Sequence, residues 1–193
     1  IHCELVMPGY EYTPFASLSD ETSAITVTLN SPSKSFNTAG LMQSNVICSD
    51  IEMRRRIDRV INIFEVCEVN PFGPDALVAA YNESEEWLDE LNRYLYDNYL
   101  ELKRFFAEYM PKIEVLKLEG TYLVWVDISA LEFTSDELEA KLRDEGKVYL
   151  NSGTMYGRRA GQGYMRINIA CPRSRMIDGL TRMAKVIAPC MED

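Results

Sequence analysis

The sequence predicts an α/β protein, and three observations carry that prediction. Short apolar runs of β-like character (24–29, 44–48, 122–128 and 164–170) are interleaved with segments whose apolar residues recur at helical spacing. Polar turns rich in Ser, Asn, Gly and Pro separate them. One helical pattern of about 25 residues divides the chain, and at ~1.5 Å per residue it reaches close to 40 Å, long enough to bridge two domains. At 193 residues the chain suffices for one domain or two small ones.

In chain order, Ala24-Ile-Thr-Val-Thr-Leu29 and 44–48 are strand-like runs on either side of a polar loop. Asp50 is a plausible N-cap for a helix over 51–65, with Met53, Ile57, Val60, Ile61 and Phe64 on one face. Asn70-Pro-Phe-Gly-Pro74 is a turn, and Pro74 suits a helix start. Ser84 is expected to cap the long helix, whose stripe of Trp87, Leu88, Leu91, Leu95, Tyr99, Leu102, Phe106 and Tyr109 reads as core and ends at Pro111. The last third predicts a strand over 122–128, a helix over 135–145, a strand over 164–170 that Pro172 breaks, and a final helix opened by Ser174.

Composition excludes several classes of partner. The net charge of −10 repels phosphates, so neither nucleic acid nor an anionic membrane is expected. The run Arg54-Arg55-Arg56 lies in a helical segment flanked by acids and reads as a solvated face. No apolar run approaches the ~18 residues of a transmembrane helix, and no charged leader with an apolar stretch opens the chain. The five cysteines are scattered without Cys-x-x-Cys spacing beside a single histidine, so no metal site is expected; free thiols in a cytoplasmic protein are the simplest reading. Because the chain begins at Ile1 on what reads as the end of an element, a fragment is expected.

Two stretches can carry chemistry. Lys34 follows the first strand in a hydroxyl-rich turn, and in open α/β sheets the carboxyl edge of the strands is where ligands bind. A primary amine there can form a Schiff base with a carbonyl group, although from the residues alone a lone lysine in a polar loop reads first as a solvated surface residue. In Tyr164-Met-Arg-Ile-Asn-Ile-Ala170, period two puts Tyr164, Arg166 and Asn168 on one face and Met165, Ile167 and Ile169 on the other. Arg166 is then either a solvated arginine on an exposed sheet face or a guanidinium fork aimed at a carboxylate.

Ser31-Pro-Ser-Lys-Ser-Phe-Asn-Thr-Ala-Gly-Leu41 closely resembles the cofactor-lysine motif (Ser-x-Ser-Lys-x-Phe-Asn-x-Ala-Gly-Leu) of pyridoxal 5'-phosphate (PLP)-dependent enzymes of the aminotransferase fold, in particular the cystathionine β-lyase / C–S lyase (MalY/PatB-like) subgroup. Gly163-Tyr-Met-Arg-Ile-Asn-Ile-Ala-Cys-Pro-Arg173 is similar to the family's Gly-x-x-Arg-x-Asn block, and Glu119-Gly-Thr-Tyr-Leu-Val-Trp-Val-Asp127 to a small-domain strand. Ile1-His-Cys-Glu-Leu5 resembles the tail of Asp-Glu-Ile-His-x-Asp/Glu-Leu, so the aspartate that pairs with the pyridine nitrogen in the family falls just before residue 1. Many aspartate-type aminotransferases carry a phosphate-binding arginine about eight residues beyond the lysine. Here Met42 stands there, which favours a lyase.

The resemblance implies the C-terminal portion of the PLP-dependent transferase (aspartate aminotransferase-like) α/β fold: the end of the large parallel-sheet domain over 1–98 and the small α/β domain over 99–193. It implies PLP as cofactor, Lys34 as its Schiff-base lysine and general base, Ser31 and Ser33 as hydroxyls near the cofactor phosphate, and His2 beside the ring. It assigns the substrate α-carboxylate to Arg166. The implied reaction is β-elimination of sulfur amino acids to pyruvate, ammonia and a thiol by a cytoplasmic homodimer, with this chain alone catalytically incomplete. A class I/II aminotransferase, and a non-enzymatic interaction protein on the same fold, are the alternatives.

Overall fold

A computed structural model describes residues 1–191 and divides the chain into two compact units, Ile1–Asn92 and Arg93–Asp193.

The first unit opens with an irregular segment that buries Leu5 and Met7. Helix α1 (Asp20–Ala24) begins at a reciprocal capping box, in which Ser19 Oγ accepts from Thr22 N–H and Thr22 Oγ1 from Ser19 N–H. Strands β1 (Val27–Asn30) and β2 (Asn45–Cys48) pair antiparallel, with Val27 opposite Cys48 and Asn30 opposite Asn45, so the Lys34 loop joins the two strands at one end of the ribbon. The parallel strands expected for a large domain are not among the described residues; the two strands present form a ribbon of their own.

Asp50 caps α2 (Ile51–Ile63) as expected, its Oδ1 accepting from Met53 N–H at 2.6 Å. The helix ends before Phe64, and Glu65 turns left-handed at φ 52°. Its predicted apolar face is present but only partly covered: Met53, Ile57 and Ile61 are half-buried, Val60 and Phe64 are exposed, and no residue of α2 is fully buried. Helix α3 (Gly73–Glu83) carries Pro74 in its first turn, where the missing N–H is harmless. Ser84 departs from its expected role. Its hydroxyl donates back to the Ala79 carbonyl of α3 at 3.2 Å, because the chain passes from α3 into α4 (Glu85–Tyr109) with one residue between them. The expected core stripe of α4 is core only in its second half: Leu95, Tyr99, Leu102 and Phe106 are buried, whereas Trp87 and Tyr109 at the ends are 43% and 51% exposed.

The second unit is built on a four-stranded antiparallel sheet, ordered β3 (Glu114–Val115), β4 (Leu123–Asp127), β6 (Tyr164–Asn168), β5 (Asn151–Ser152). Trp125 on β4 and Asn151 on β5 both lie opposite Arg166 on β6. The period-two reading of β6 holds: Met165 and Ile167, with Ile169 beyond the strand, are buried, while Tyr164 and Arg166 are half-buried and Asn168 exposed. Helix α5 (Ser135–Lys141) starts at a Thr134/Glu137 capping box that the sequence reading passed over. It runs on as a single π-helical turn, Leu142–Gly146, instead of the α-helix expected to 145. Arg182 fastens that turn by donating to the Gly146 and Lys147 carbonyls at 2.9 and 2.6 Å. Helix α6 (Arg173–Ile187) starts one residue before Ser174, directly after Pro172, and buries Met176, Leu180, Met183 and Ile187. Among the described residues no helix is long and apolar enough to cross a membrane.

Candidate active site

The Lys34 loop is pinned on both sides of the lysine and leaves the lysine itself open. Ahead of it, Asn30 Oδ1 accepts from Ser31 N–H at 2.5 Å, and the Ser31 hydroxyl donates to the Gln43 carbonyl at 2.6 Å. Ser31 and Ser33 oxygens lie 2.6 Å apart, and Ser33 N–H donates to Ser31 Oγ at 3.1 Å. Because Ser31 has sent its proton to Gln43, the short contact must be Ser33 donating to Ser31, so both hydroxyl protons stay inside the turn. Ser31 is buried and Ser33 half-buried, so Ser33 is the one whose hydroxyl can swing outward by a χ1 rotation.

Behind Lys34, Ser35 is fully buried and donates to Glu4 Oε2 at 2.5 Å, while Phe36 stacks on Trp87 at 5.9 Å and meets Tyr81 edge-on at 5.5 Å. Lys34 is exposed between these anchors, and among the described residues it makes no hydrogen bond or ion pair. Two further oxygens of the segment, Thr38 Oγ1 and Gln43 Oε1, are buried without a hydrogen-bond partner. Met42 adopts a left-handed conformation (φ 52°) and is 81% exposed.

Glu4 is the hub that sequence reading missed. Its carboxylate accepts from Ser35 and from the Tyr81 hydroxyl (3.0 Å), and its backbone carbonyl accepts from Asn92 Nδ2 at 2.9 Å. Burial pushes this carboxyl up, but the hydrogen bonds from Ser35, its own backbone, Cys3 and Tyr81 together outweigh burial and hold it below the usual glutamate range. Burial and the Glu4 charge drive the Tyr81 hydroxyl far up, and burial with Glu4 as neighbour raises the Cys3 thiol. The signal was the acid at the fourth position of the Ile1–Leu5 motif, seen as part of a match but not as a hydrogen-bond acceptor. His2 is half-buried in the turn closed by Leu5 N–H to the His2 carbonyl at 3.0 Å, beside this network.

In the second unit, the Arg166 guanidinium carbon lies 4.2 Å from the centroid of the Tyr156 ring, and among the described residues Arg166 has no carboxylate partner. Tyr156 is fixed by the edge of Trp125 (5.4 Å, 86°) and by Asn151 Nδ2, which donates to its hydroxyl at 2.8 Å. Tyr156 lies in the glycine-bounded loop Gly153–Gly157, which the sequence reading passed over because nothing local marks a loop tyrosine as an arginine's neighbour. On the same sheet face, a cavity of about 250 Å³ is lined by Leu116, Trp125, Tyr156, Ala160 and Tyr164 among others.

Arg173 is occupied differently. Its Nε donates to Asn98 Oδ1 at 3.2 Å, its Nη2 is 3.9 Å from Asp97, and the fully buried Asn98 donates in turn to the Ile169 and Cys171 carbonyls at 3.1 Å each. Two arginines seven positions apart thus have opposite fates: one belongs to a structural polar network, and the other is oriented but unclaimed by any acid among the described residues.

Comparison with known proteins agrees with these motifs. Cystathionine beta-lyase PatB of Bacillus subtilis (strain 168) is 38% identical over 188 residues, covering 97% of this chain and 48% of the relative. Among solved structures, cystalysin from Treponema denticola, which contains a pyridoxal 5'-phosphate cofactor, superposes with a TM-score of 0.94 at 32% identity over 98% of this chain and 48% of its own. The PLP-bound C-S lyase from Staphylococcus hominis, in its external aldimine form with L-cycloserine, gives 0.83 at 31% over 97% and 45%. This chain therefore spans about half the length of the relatives it matches. The profile of the family described as Aminotransferase class I and II matches residues 1–182, nearly the whole chain, and the chain belongs to that family.

Proposed function

We propose that this chain forms the lysine- and arginine-bearing part of a PLP-dependent carbon–sulfur β-lyase that cleaves sulfur amino acids to pyruvate, ammonia and a thiol. The observation that carries the reading is the Lys34 turn: an exposed amine with no partner among the described residues, between two serines whose own bonds hold the backbone still. The donor set fits PLP. Lys34 offers the amine that a carbonyl cofactor needs, Ser33 offers a half-buried hydroxyl that a χ1 rotation can turn toward a phosphate, and the family resemblance adds Ser31 and His2 to the cofactor's surroundings. The unpartnered Thr38 hydroxyl in the same loop is a further group that a ligand would satisfy.

When bound, PLP supplies an electron sink for the pair left on Cα. Everything else falls to this chain's residues. Arg166 takes the α-carboxylate with its fork of N–H donors, and so fixes which Cα bond can break. Lys34, as a free amine, would remove the Cα proton, and the bond from Cβ to sulfur would break as Cα=Cβ forms. The thiolate departs, and water converts the remaining enamine to pyruvate and ammonia. Glu4, through Ser35, keeps the backbone beside Lys34 from moving as it exchanges partners.

With this reading go the assignments of 1–98 to a large cofactor domain and 99–193 to a small domain, and a cytoplasmic homodimer without nucleic-acid or membrane partners. Five free thiols support the compartment. The uncovered apolar side chains of the first unit, such as Ile25 at 72% and Phe64 at 71% exposure, support a protein partner. The family's own description favours a second reading, an aminotransferase, which shares Lys34 and Arg166 and differs in needing a keto-acid acceptor.

The test is Lys34→Ala in the enzyme that carries this chain, with pyruvate and thiol release from cystathionine measured without any keto acid. Turnover should fall at least about a thousandfold, since the amine's base role alone is worth 10²–10⁴-fold and its cofactor bond is lost as well, while the melting temperature changes little. Borohydride reduction of the wild type should fix the cofactor to Lys34, read by peptide mass. Turnover within tenfold of wild type would sink the assignment; product formation only with added keto acid would favour the aminotransferase.

A further inference from the structure

The surroundings of Arg166 are built with more care than a solvated arginine needs. Arg166 lies on β6 between Trp125 on β4 and Asn151 on β5, both directly opposite it in register. These same two neighbours hold the tyrosine that stacks on it: Trp125 meets the Tyr156 ring edge-on and Asn151 binds the Tyr156 hydroxyl. The loop that delivers Tyr156 is itself tied down. Ser152 and Thr154 hydroxyls both donate to Asp136 Oδ1 at 2.5 Å, and the buried Ser135 hydroxyl donates to the Gly161 carbonyl at 3.3 Å while accepting from Gly163 N–H at 2.9 Å. Where the loop crosses itself, a Cβ on Gly161 would collide with the Gly153 carbonyl.

We infer that Tyr156, held by Trp125 and Asn151, is a positioning residue for Arg166: it fixes the plane of the guanidinium so that one N–H edge is presented to the α-carboxylate of an amino-acid ligand. This rests on the reading of Arg166 as the carboxylate-binding residue. The physical basis is the rotamer freedom of arginine. An unclamped side chain must be ordered when a carboxylate binds, whereas a stacked guanidinium has already lost that freedom and makes both bonds of a bidentate pair at once. The ring face also suits a cation that has no acidic neighbour of its own, and it leaves the in-plane N–H donors free. A carboxylate placed there instead would hold Arg166 equally well but would occupy the fork.

The experiment compares two competitors of the same reaction, L-alanine and ethylamine, which share an amine and differ by one carboxylate. The inhibition constant of ethylamine divided by that of L-alanine, in the enzyme that carries this chain, measures carboxylate recognition alone, and a merely structural lesion would weaken both together. Tyr156→Leu removes the ring face and should lower that ratio about fivefold, equivalent to about 1 kcal/mol at 1.4 kcal/mol per tenfold. Tyr156→Phe keeps the face and should stay within about twofold of wild type, a rescue that separates stacking from side-chain bulk. Asn151→Ala loses the same hydrogen bond as Tyr156→Phe and keeps the ring, so it should match the phenylalanine variant, and Tyr156→Ala serves if the leucine variant is poorly folded. A ratio unchanged in Tyr156→Leu but collapsed in Arg166→Ala overturns the positioning role and leaves the carboxylate reading standing. A ratio unchanged in Arg166→Ala overturns that reading, and the positioning role with it. Equal losses in the Phe and Leu variants also overturn it, since the ring face would then be irrelevant.

Discussion

In Arg93–Asp193 each main helix and strand covers its apolar side: Leu102 and Phe106 of α4, Val124 and Val126 of β4, Met165 and Ile167 of β6 and Met183 of α6 are all nearly inaccessible. In Ile1–Asn92 residues of the same kind face outward, with Leu29 65%, Ile47 56% and Ile63 63% exposed, and only Leu5, Met7, Pro32, Cys48 and Ala80 among the described apolar side chains are buried. The two units hold their chemistry in place by correspondingly different means. Arg166 is positioned by a sheet with a packed back and by an aromatic stack, whereas the Lys34 loop is positioned by a polar web of Asn30, Ser31, Gln43, Ser35, Glu4 and Tyr81, with Phe36 as its main apolar anchor. A functional group can therefore be held still without a core beneath it, provided its neighbours' hydrogen bonds are complete.

That contrast is sharpest in stability. Phe106→Ala in this chain should cost about 3–5 kcal/mol, the range for emptying a buried aromatic site, whereas Phe64→Ala should stay within about 0.5 kcal/mol because its ring is already in water. Urea denaturation of both variants measures this, and equal costs would mean that the uncovered surface of the first unit is not uncovered in solution. Next in size is the pair of arginines. Arg166→Ala should weaken α-amino acid substrates by about 2–4 kcal/mol in KM through the loss of charge-assisted pairing. Arg173→Ala should leave KM within about threefold and instead lower the melting temperature, because Asn98 loses its partner. Similar KM effects from both would break the distinction between an oriented and a structural guanidinium.

The smallest effect concerns Glu4. Its carboxyl is held below the usual range in the folded protein, so its contribution is fully present above the unfolded value and disappears as the pH falls through the folded one. Glu4→Gln should therefore cost about 1 kcal/mol at pH 7, a modest figure because the carboxylate is only half-buried, and progressively less as the pH falls below the usual glutamate range. Melting temperatures of the two proteins from pH 7 to 3 should converge. A gap that widens toward acid would show that Glu4 does not act as a charged acceptor.

Much of this was legible in the sequence, and the reasons are specific. The alternation Met165-Arg166-Ile167 marked the buried and open faces of β6 because a strand's period is fixed by its pleat. Asp50 marked a helix start because a carboxylate before the first turn has one obvious use. Ser84 misled because two helices adjoin there and its hydroxyl chose the carbonyl behind it. The α2 stripe was read correctly as a face seeking cover, but periodicity says nothing about what supplies that cover. At the site, Lys34 and Arg166 stand in recognisable local patterns. Glu4 and Tyr156 reach their partners from 31 and 10 positions away, distances that no local pattern encodes.

The crossing of Gly153 and Gly161 bears on how this protein could be redesigned. At those two positions the alphabet shrinks to a single letter, since even a methyl group on either would strike the other's backbone. Between them, Met155 is 70% exposed and Arg158 is open to solvent, so variation there alters the open part of the loop that carries Tyr156 without touching its crossing. A library seeking new substrate preference should diversify Met155 and Arg158 and leave both glycines alone. Sequencing the surviving clones should return glycine at 153 and 161 almost without exception.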